Sequence, residues 1–371
     1  MSKAAAARNA VLVLNVGSSS VKFRVFGAEE ALPLLADGRV TGIGSRPVFG
    51  IAGQDSRDLP QNTTQAEAMK EVLDFVQNPE NDWQLVAAGH RIVHGGVVYC
   101  DPVRLDNDVL MQLDSFAPLA PLHQPHNLAA VRALAKLYPD LPQIGCFDTA
   151  FHAGHDRITQ SYALPKDLRD QGVRRYGFHG LSYEWTAHVL AQEAGGMPER
   201  VVAAHLGNGA SLCAMRRGIS IDTTMGMTAL EGLPMGTRCG ALDPGAVVYM
   251  QRTCGLSLRD VENTLYNYSG LKGLSGGMSD MKKLLASKTP ESGFAVDYFI
   301  IRVAQKIAEM VVSLGGMDML VFTGGIGENA APVRGGIVGR LDFLPEFKIR
   351  IIQADEERMI ARHTLGVMGI T

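Results

Sequence analysis

Two stretches of this chain share a plan that restricts the folds open to it. From Val11 an apolar run reaches a Gly-Ser turn at Gly17 to Ser20 and leaves it as a second run from Val21 to Phe26. From Val201, Val-Val-Ala-Ala-His-Leu enters Gly207-Asn208-Gly209-Ala210-Ser211 and continues apolar to Met215. β-Branched residues flanking turn residues make a hairpin pattern, so each stretch is predicted to be two antiparallel strands with a polar tip. Setting Gly17 beside Gly207 gives 207 − 17 = 190 positions, about half of the 371 residues, which points to a duplicated unit. A chain of this length also exceeds what one hydrophobic core usually supports. The expectation is two sheet-and-helix domains, each opening with a hairpin whose turn faces a cleft between them, a favoured place for ligands.

Between and after the hairpins, helical periodicity at Thr64 to Val76 and Asn127 to Leu137 alternates with short apolar runs at Leu85 to Ala88 and Gln143 to Phe147. Mixed α/β architecture follows. Phe299, Val303, Ile307, Val311 and Leu314 recur at helical spacing; Gly315-Gly316 caps that helix, and Met319 to Phe322 forms a strand entering Thr323-Gly324-Gly325-Ile326-Gly327-Glu328-Asn329. Thr41 to Asn62 reads as the most loop-rich, mobile stretch.

A net charge of −3 provides no global basic field for nucleic acid or an anionic membrane, so any anion must be met by local arginines and histidines. The five cysteines are odd in number and show no Cys-x-x-Cys spacing, which argues against a disulfide framework or a thiolate zinc site and fits a reducing cytosol. Lys3 and Arg8 before Val11 to Leu14 mimic a signal peptide, but the apolar run is too short. The longest apolar tract, Phe294 to Phe322, is broken by Asp297, Arg302, Lys306, Glu309 and Asp318, so it is not expected to span a membrane. A cytoplasmic protein is expected.

Three glycine-containing turns after strands suggest backbone amides offered to phosphates, since glycine lets the chain approach an anion without a Cβ clash. Lys22, two residues past the first turn, could reach a phosphate there. No Gly-Lys dipeptide occurs, which excludes the usual P-loop, and there is no His-Arg-Asp or Asp-Phe-Gly signature.

Leu14-Asn15-Val16-Gly17-Ser18-Ser19-Ser20-Val21-Lys22 and Tyr176-Gly177-Phe178-His179-Gly180 closely resemble signatures of the acetate kinase family. Gly89 to Gly96 (Gly-His-Arg-Ile-Val-His-Gly-Gly), Phe147 to His152, His205 to Gly209, Met235-Gly236-Thr237-Arg238 and Gly324 to Asn329 follow in the same order. The resemblance covers nearly the whole chain. It implies duplicated ribonuclease-H-like domains of the actin-like ATPase kind, with mixed sheets flanked by helices and the active site in the interdomain cleft. The expected division is 1–149 with 357–371 returning to it, and 150–356 as the nucleotide-binding domain. The implied reaction is reversible transfer of the ATP γ-phosphoryl to acetate, giving acetyl phosphate and ADP. Propionate or a broader range of short acids is the alternative acceptor, and a sugar kinase of the same superfamily is a distant one. Mg²⁺ or Mn²⁺ is the implied metal, and a homodimer the implied assembly.

Chemistry explains why these residue types belong together. A carboxylate acceptor, with an unperturbed pKa of about 4.3, is already ionised near neutrality and needs no general base. The reaction needs cations that bring two anions together and stabilise charge on the transferring phosphoryl group. By resemblance Arg91 orients the acceptor carboxylate, Arg238 bridges carboxylate and phosphoryl oxygens, and His179 donates to the transition-state phosphoryl oxygens. Asp148, treated by the family as catalytic, suits a Mg²⁺ or water-organising ligand better than a base. Asn15 and Glu356 correspond to the metal contacts, with Asp355 and Glu357 as acidic neighbours; Glu356 equally suits the first turn of a terminal helix. Val93, Leu122 and Phe178 would form a small apolar acceptor pocket with His123 in support.

For the nucleotide, Ser18, Ser20 and Lys22 with His205, Leu206, Gly207, Asn208 and Gly209 would cradle phosphates. Gly325, Ile326, Gly327, Glu328 and Asn329 would line the adenosine side, and Asp280, Met281 and Lys282 would flank base and ribose. Here the chain departs from the family's Asp-Phe-Arg, losing an aromatic face and a planar cation. Ala229 stands where many relatives have proline, Ala241 where many have aspartate, and Tyr183 where histidine is common. His126 and His155 complete two His-x-x-His spacings but are expected to be packed or exposed rather than metal ligands.

Overall fold

The computed structural model describes residues 7–17, 19–121 and 123–370, so Ser18 and Leu122 lie outside the described residues. Two compact units emerge, one running to Ala150 and resuming at Asp355, the other spanning Phe151–Ala354.

In the first unit, Gly17 N–H bonds to the Ser20 carbonyl at 2.9 Å and folds β1 (Arg8–Val16) back on β2 (Ser20–Gly27), the expected hairpin. β3 (Leu34–Thr41), β4 (Val48–Ile51) and β5 (Arg57–Asp58) continue the antiparallel meander outward. On the other side of β1 lie β6 (Trp83–Ile92), β7 (Val103–Arg104) and β8 (Gln143–Phe147), in the order β5-β4-β3-β2-β1-β6-β8-β7. The β1–β6 and β6–β8 pairs are parallel. The supposedly loop-rich Thr41 to Asn62 thus holds two strands. Their pairing is carried by the buried Phe49, which stacks on Phe23 at 6.3 Å, a contact invisible to local pattern.

α1 (Gln65–Val76) begins at a capping box in which Thr64 and Glu67 satisfy each other's backbone amides. Its buried Met69, Val72, Leu73 and Val76, with Leu134 of α2 (Gln124–Leu137), cover Leu12, Leu14, Phe23 and Val25. Each such fully buried large side chain stabilises the unit by ~1.5–3 kcal/mol. α2 starts three residues before the expected Asn127 because Pro125 fits a helix's first turn.

The second unit repeats the plan. β9 (Arg200–Leu206), β10 (Ala210–Arg216) and β11 (Ile219–Thr223) form an antiparallel meander, and β12 (Met319–Thr323) and β13 (Lys348–Ile351) add parallel strands beyond β9. The order β11-β10-β9-β12-β13 matches β3-β2-β1-β6-β8 strand for strand. The duplication read from the glycine turns is therefore a duplicated topology. α3 (Gly180–Gln192) packs Tyr183 and Leu190 on Val201, Ala203, Cys213 and Met215. α4 (Pro290–Leu314) packs against β9, β10 and β11 and ends where Gly315 adopts φ 70°, a conformation other residues resist. Among the described residues no helix is long and apolar enough to cross a membrane. The third expected glycine turn is instead a short helix, α5 (Gly324–Asn329), entered through Gly324 at φ 77°.

α6 (Glu356–Met368) belongs to the first unit and lies on β1, β2, β6 and β8. Gly89 allows this, since a Cβ there would overlap Ile360 and Thr364. Because strand residues alternate faces, the face of β6 carrying Gly89 also carries Arg91, and Asn15 follows Val13, the partner of Gly89, on β1. The first turn of α6 consequently meets both polar side chains.

Candidate functional site

In the first unit, Asn15, Arg91, Asp148 and Glu356 form one cluster. Asp148 follows β8, held by its N–H on the Ile92 carbonyl at 3.0 Å. It is 1% exposed and accepts from Arg91 Nε at 2.9 Å and Nη2 at 2.5 Å, a bidentate fork. Arg91 Nη1 donates to Asn15 Oδ1 at 3.2 Å, and Nε stands 3.8 Å from Glu356. Asn15 Nδ2 donates to Glu357 Oε1 at 3.3 Å, and Arg24 pairs with Asp37, Asp355 and Glu357. Burial works against the charge on Arg91, but Asp148 and Glu356 outweigh it and hold its pKa above the ordinary value. Burial pushes Glu356 up to about 7; Arg91 opposes that rise, while Asp148 and Glu357 add to it.

Side chains without an obvious signal brace this region. Asn127 donates to the Val16 carbonyl at 2.7 Å and accepts from Val93 N–H at 3.1 Å, tying the first turn to the start of the loop after β6. Gln65 donates to the Gly17 carbonyl at 2.8 Å and is met by His126 Nδ1 at 2.9 Å, so His126 supports the turn. Lys22 is exposed opposite Asn15, Ser20 starts β2, and His123 sits at the N-cap of α2. Val93 is buried.

In the second unit, alternation along β9 and β10 places His205 and Ser211 on the face covered by α3. His179, the N-cap of α3, has φ 59°, an unusual left-handed conformation for a residue with a Cβ. Its Nδ1 lies 2.8 Å from Ser211 Oγ, and its ring stacks on His205 with centroids 4.4 Å apart. His205 Nδ1 lies 2.8 Å from Ser182 Oγ, and Tyr183 Oη lies 2.5 Å from Ser211 Oγ. The turn after β9 is closed by Gly207 N–H on the Gly209 carbonyl at 2.9 Å. A Cβ on Gly209 would stand 3.0 Å from Arg238 Nη2 and 3.2 Å from His179 Nε2, so glycine lets both donors crowd the turn. Arg238 Nη1 is anchored on the Ala229 carbonyl at 2.9 Å, and Gly236 N–H on the Asn208 carbonyl at 3.0 Å.

Phe178 is buried, and its carbonyl is held by His152 Nε2 at 3.0 Å. His152 and His155 share Ser220 Oγ at 2.8 and 2.7 Å. Leu206 is buried and Asn208 exposed. Glu328 accepts from Gly324 N–H at 3.0 Å and Ala354 N–H at 2.9 Å, fixing the start of α5, while Asn329 donates back to the Gly325 carbonyl. Gly325 is exposed, Ile326 half-buried and Gly327 buried. Asp280 caps the Met281–Ala286 helix by accepting from Lys283 N–H, Met281 is buried and Lys282 exposed. Among the described residues no group of three or more His, Cys, Asp and Glu could hold a metal unaided.

Ser211, Ser182, Asn127, Gln65 and Arg24 escaped sequence reasoning. Ser211 alone carried a signal, as a hydroxyl in register with Cys213 and Met215 on a strand face otherwise apolar.

Burial drives the pKa of His152 down to about 3, and those of His155, His94 and His90 down to about 4. An unfolded histidine titrates near 6.5, so the unfolded chain binds more protons than the folded one from about pH 6.5 downward. Their stabilising contribution is full above that value and lost as pH falls towards 4 and then 3. Glu356, raised instead of lowered, opposes this between about 4.5 and 7, one group against four. Urea unfolding at pH 7.5 and pH 5 is expected to show a net loss of about 4–6 kcal/mol at the lower pH.

Comparison with known proteins finds relatives over nearly the whole chain. The Acetokinase family model matches residues 10–363. An acetate kinase of Rhodopseudomonas palustris is 44% identical over 385 residues, covering 95% of this chain and 97% of the relative. A propionate kinase from Francisella tularensis superposes with a TM-score of 0.91 at 34% identity, over 96% of this chain and 99% of the other. Porphyromonas gingivalis acetate kinase superposes with a TM-score of 0.87 at 31% identity, over 97% and 100%.

Proposed function

We propose, because this chain belongs to the acetokinase family, that it is an acetate kinase, reversibly moving the ATP γ-phosphoryl to acetate to give acetyl phosphate and ADP. The observation that carries the reading is the approach of Arg238 Nη2 and His179 Nε2 to one point over Gly209. Two donors converging beside a glycine turn suit the spread charge of a transferring phosphoryl group, and with Arg91 they bring more positive charge than a neutral sugar acceptor requires.

Arg238 bridges acceptor and phosphoryl oxygens, His179 donates from Nε2, and His205 to Gly209 cradle the nucleotide phosphates together with Ser18, Ser20 and Lys22. Arg91 orients the acceptor carboxylate. Asp148 is committed to the Arg91 fork, which supports an orienting role and agrees with an acceptor that needs no base. Val93 in the first unit and Phe178 in the second are the described apolar residues this proposal assigns to the acceptor, with His123 in support. Gly325 to Asn329 and Asp280 to Lys282 serve the adenosine end.

Mg²⁺ is the metal that fits. Glu356 and Asn15 offer hard oxygen atoms, and Glu356, whose pKa burial raises to about 7, gains from a cation beside it. When bound with ATP, the ion supplies neutralisation of phosphate charge. Asn15 and Glu356 are its protein contacts in this proposal; Mg²⁺ normally takes only one or two carboxylates beside water and phosphate. A cytoplasmic homodimer completes the proposal, and exposed Tyr249, Leu258 and Phe294 on the second unit suit a protein partner.

The test is trapping of acyl phosphate by hydroxylamine with ATP and Mg²⁺ while the acid is varied. Acetate is expected to give hydroxamate with the highest kcat/KM. Propionate should follow within about 10–200-fold, the worth of one methylene in an apolar pocket. No hydroxamate from acetate, propionate or butyrate overturns the proposal.

A further inference from the structure

We propose that Tyr183 and Ser211 are positioning residues that set the tautomer of His179, so that its Nε2 carries the proton it donates; this rests on the role given to His179 above. Ser211 Oγ has two hydrogen-bond partners, His179 Nδ1 at 2.8 Å and Tyr183 Oη at 2.5 Å. Ser211 and Tyr183 are both fully buried, so water does not substitute for either bond. A serine hydroxyl has one proton to give. Of the two hydroxyls the phenol is the more acidic and the better donor, so Tyr183 donates to Ser211 Oγ and Ser211 passes its own proton towards His179. Each bond polarises the next.

Nδ1 of His179 is then an acceptor, and in a neutral imidazole the proton resides on Nε2. That nitrogen faces the space over Gly209 beside Arg238 Nη2. A neutral ring also suits its neighbours, since a second positive charge next to the Arg238 guanidinium and stacked on His205 would be repelled. The opposite tautomer would aim a lone pair at an anionic phosphoryl group. α3 delivers the arrangement by geometry: its first turn places Ser182 on His205 and Tyr183 on Ser211.

Nitrogen-15 NMR of histidine-labelled protein is expected to show His179 with an unprotonated Nδ1 and a protonated Nε2, and Tyr183→Phe to populate the other tautomer. A proton on Nδ1 in the unsubstituted protein, or no change in Tyr183→Phe, overturns the proposal. In kinetics, Tyr183→Phe should lower kcat by about 2–10-fold and Ser211→Ala by about 10–100-fold, with KM for ATP unchanged. Tyr183→Phe added to Ser211→Ala should cost nothing further, whereas additive losses indicate plain packing and overturn the relay. If Ser211→Ala does not fold, the NMR comparison of Tyr183→Phe decides. Failure of His179→Asn to reduce turnover refutes the site reading separately, because the tautomer measurement needs no substrate.

Discussion

Arg238→Ala is expected to lower kcat for acetyl phosphate formation by about 10³–10⁵-fold, the range seen when an arginine that stabilises a transferring phosphoryl group is lost. The nucleotide dissociation constant should stay within about 3-fold, less than ~1 kcal/mol, since the phosphate turn itself is closed by backbone bonds. Those bonds, Gly207 N–H on Gly209 and Gly236 N–H on Asn208, do not involve the guanidinium. Arg238→Lys should recover little. A lysine can reach one oxygen, whereas the guanidinium is held by Nη1 on Ala229 while Nη2 faces the turn, a division of labour that needs a planar fork. Steady-state hydroxamate assays with nucleotide binding by calorimetry check this; lost nucleotide binding with normal turnover at saturating ATP contradicts the role.

The second large effect is on stability. Arg91→Ala removes the cation that Asp148 grips and that Glu356 faces at 3.8 Å, leaving buried carboxylates without compensation. Breaking such a pair from one side costs about 3–5 kcal/mol, measurable as a lower urea midpoint. Asp148→Asn in the same chain should return part of that loss, because it removes one of the stranded charges; strict additivity of the two substitutions would show that the pair is not coupled. Activity is expected to fall in both proteins, so the stability cycle separates the electrostatic role from the catalytic one.

Local patterns sufficed for much of the fold. The two hairpins, α1 with its Thr64–Glu67 box, β8 and the glycine-capped α4 announce themselves in short windows of sequence. β6 was only partly legible: Leu85 to Ala88 reads as a strand, but Gly89, His90 and Arg91 break the apolar run while continuing the same strand to Ile92. Those residues are there for α6 and for Asp148, and such partners are remote in sequence. β4 and β5 were missed because the contacts that seat Phe49, on Phe23 and Phe75, lie far from it in sequence. In the site, arginines and histidines stood out within glycine-rich motifs. The carboxamides that brace the first turn, Asn127 and Gln65, look like ordinary helix residues until the fold brings them round, and Ser211, which holds His179, is marked only as a hydroxyl on an otherwise apolar strand face.

α6 has a meaning for how the protein is made. The sheet it covers is synthesised first, yet the helix that closes over Val13 and Gly89 and brings Glu356 to Arg91 leaves the ribosome only after the whole second unit. The second unit, continuous from Phe151 to Ala354, has its full complement of strands while the first still exposes an apolar sheet face. Domains usually fold in order of synthesis. Here the order reverses, and the half that begins the chain completes its folding last, so its uncovered sheet is the surface a chaperone would have to shield during translation.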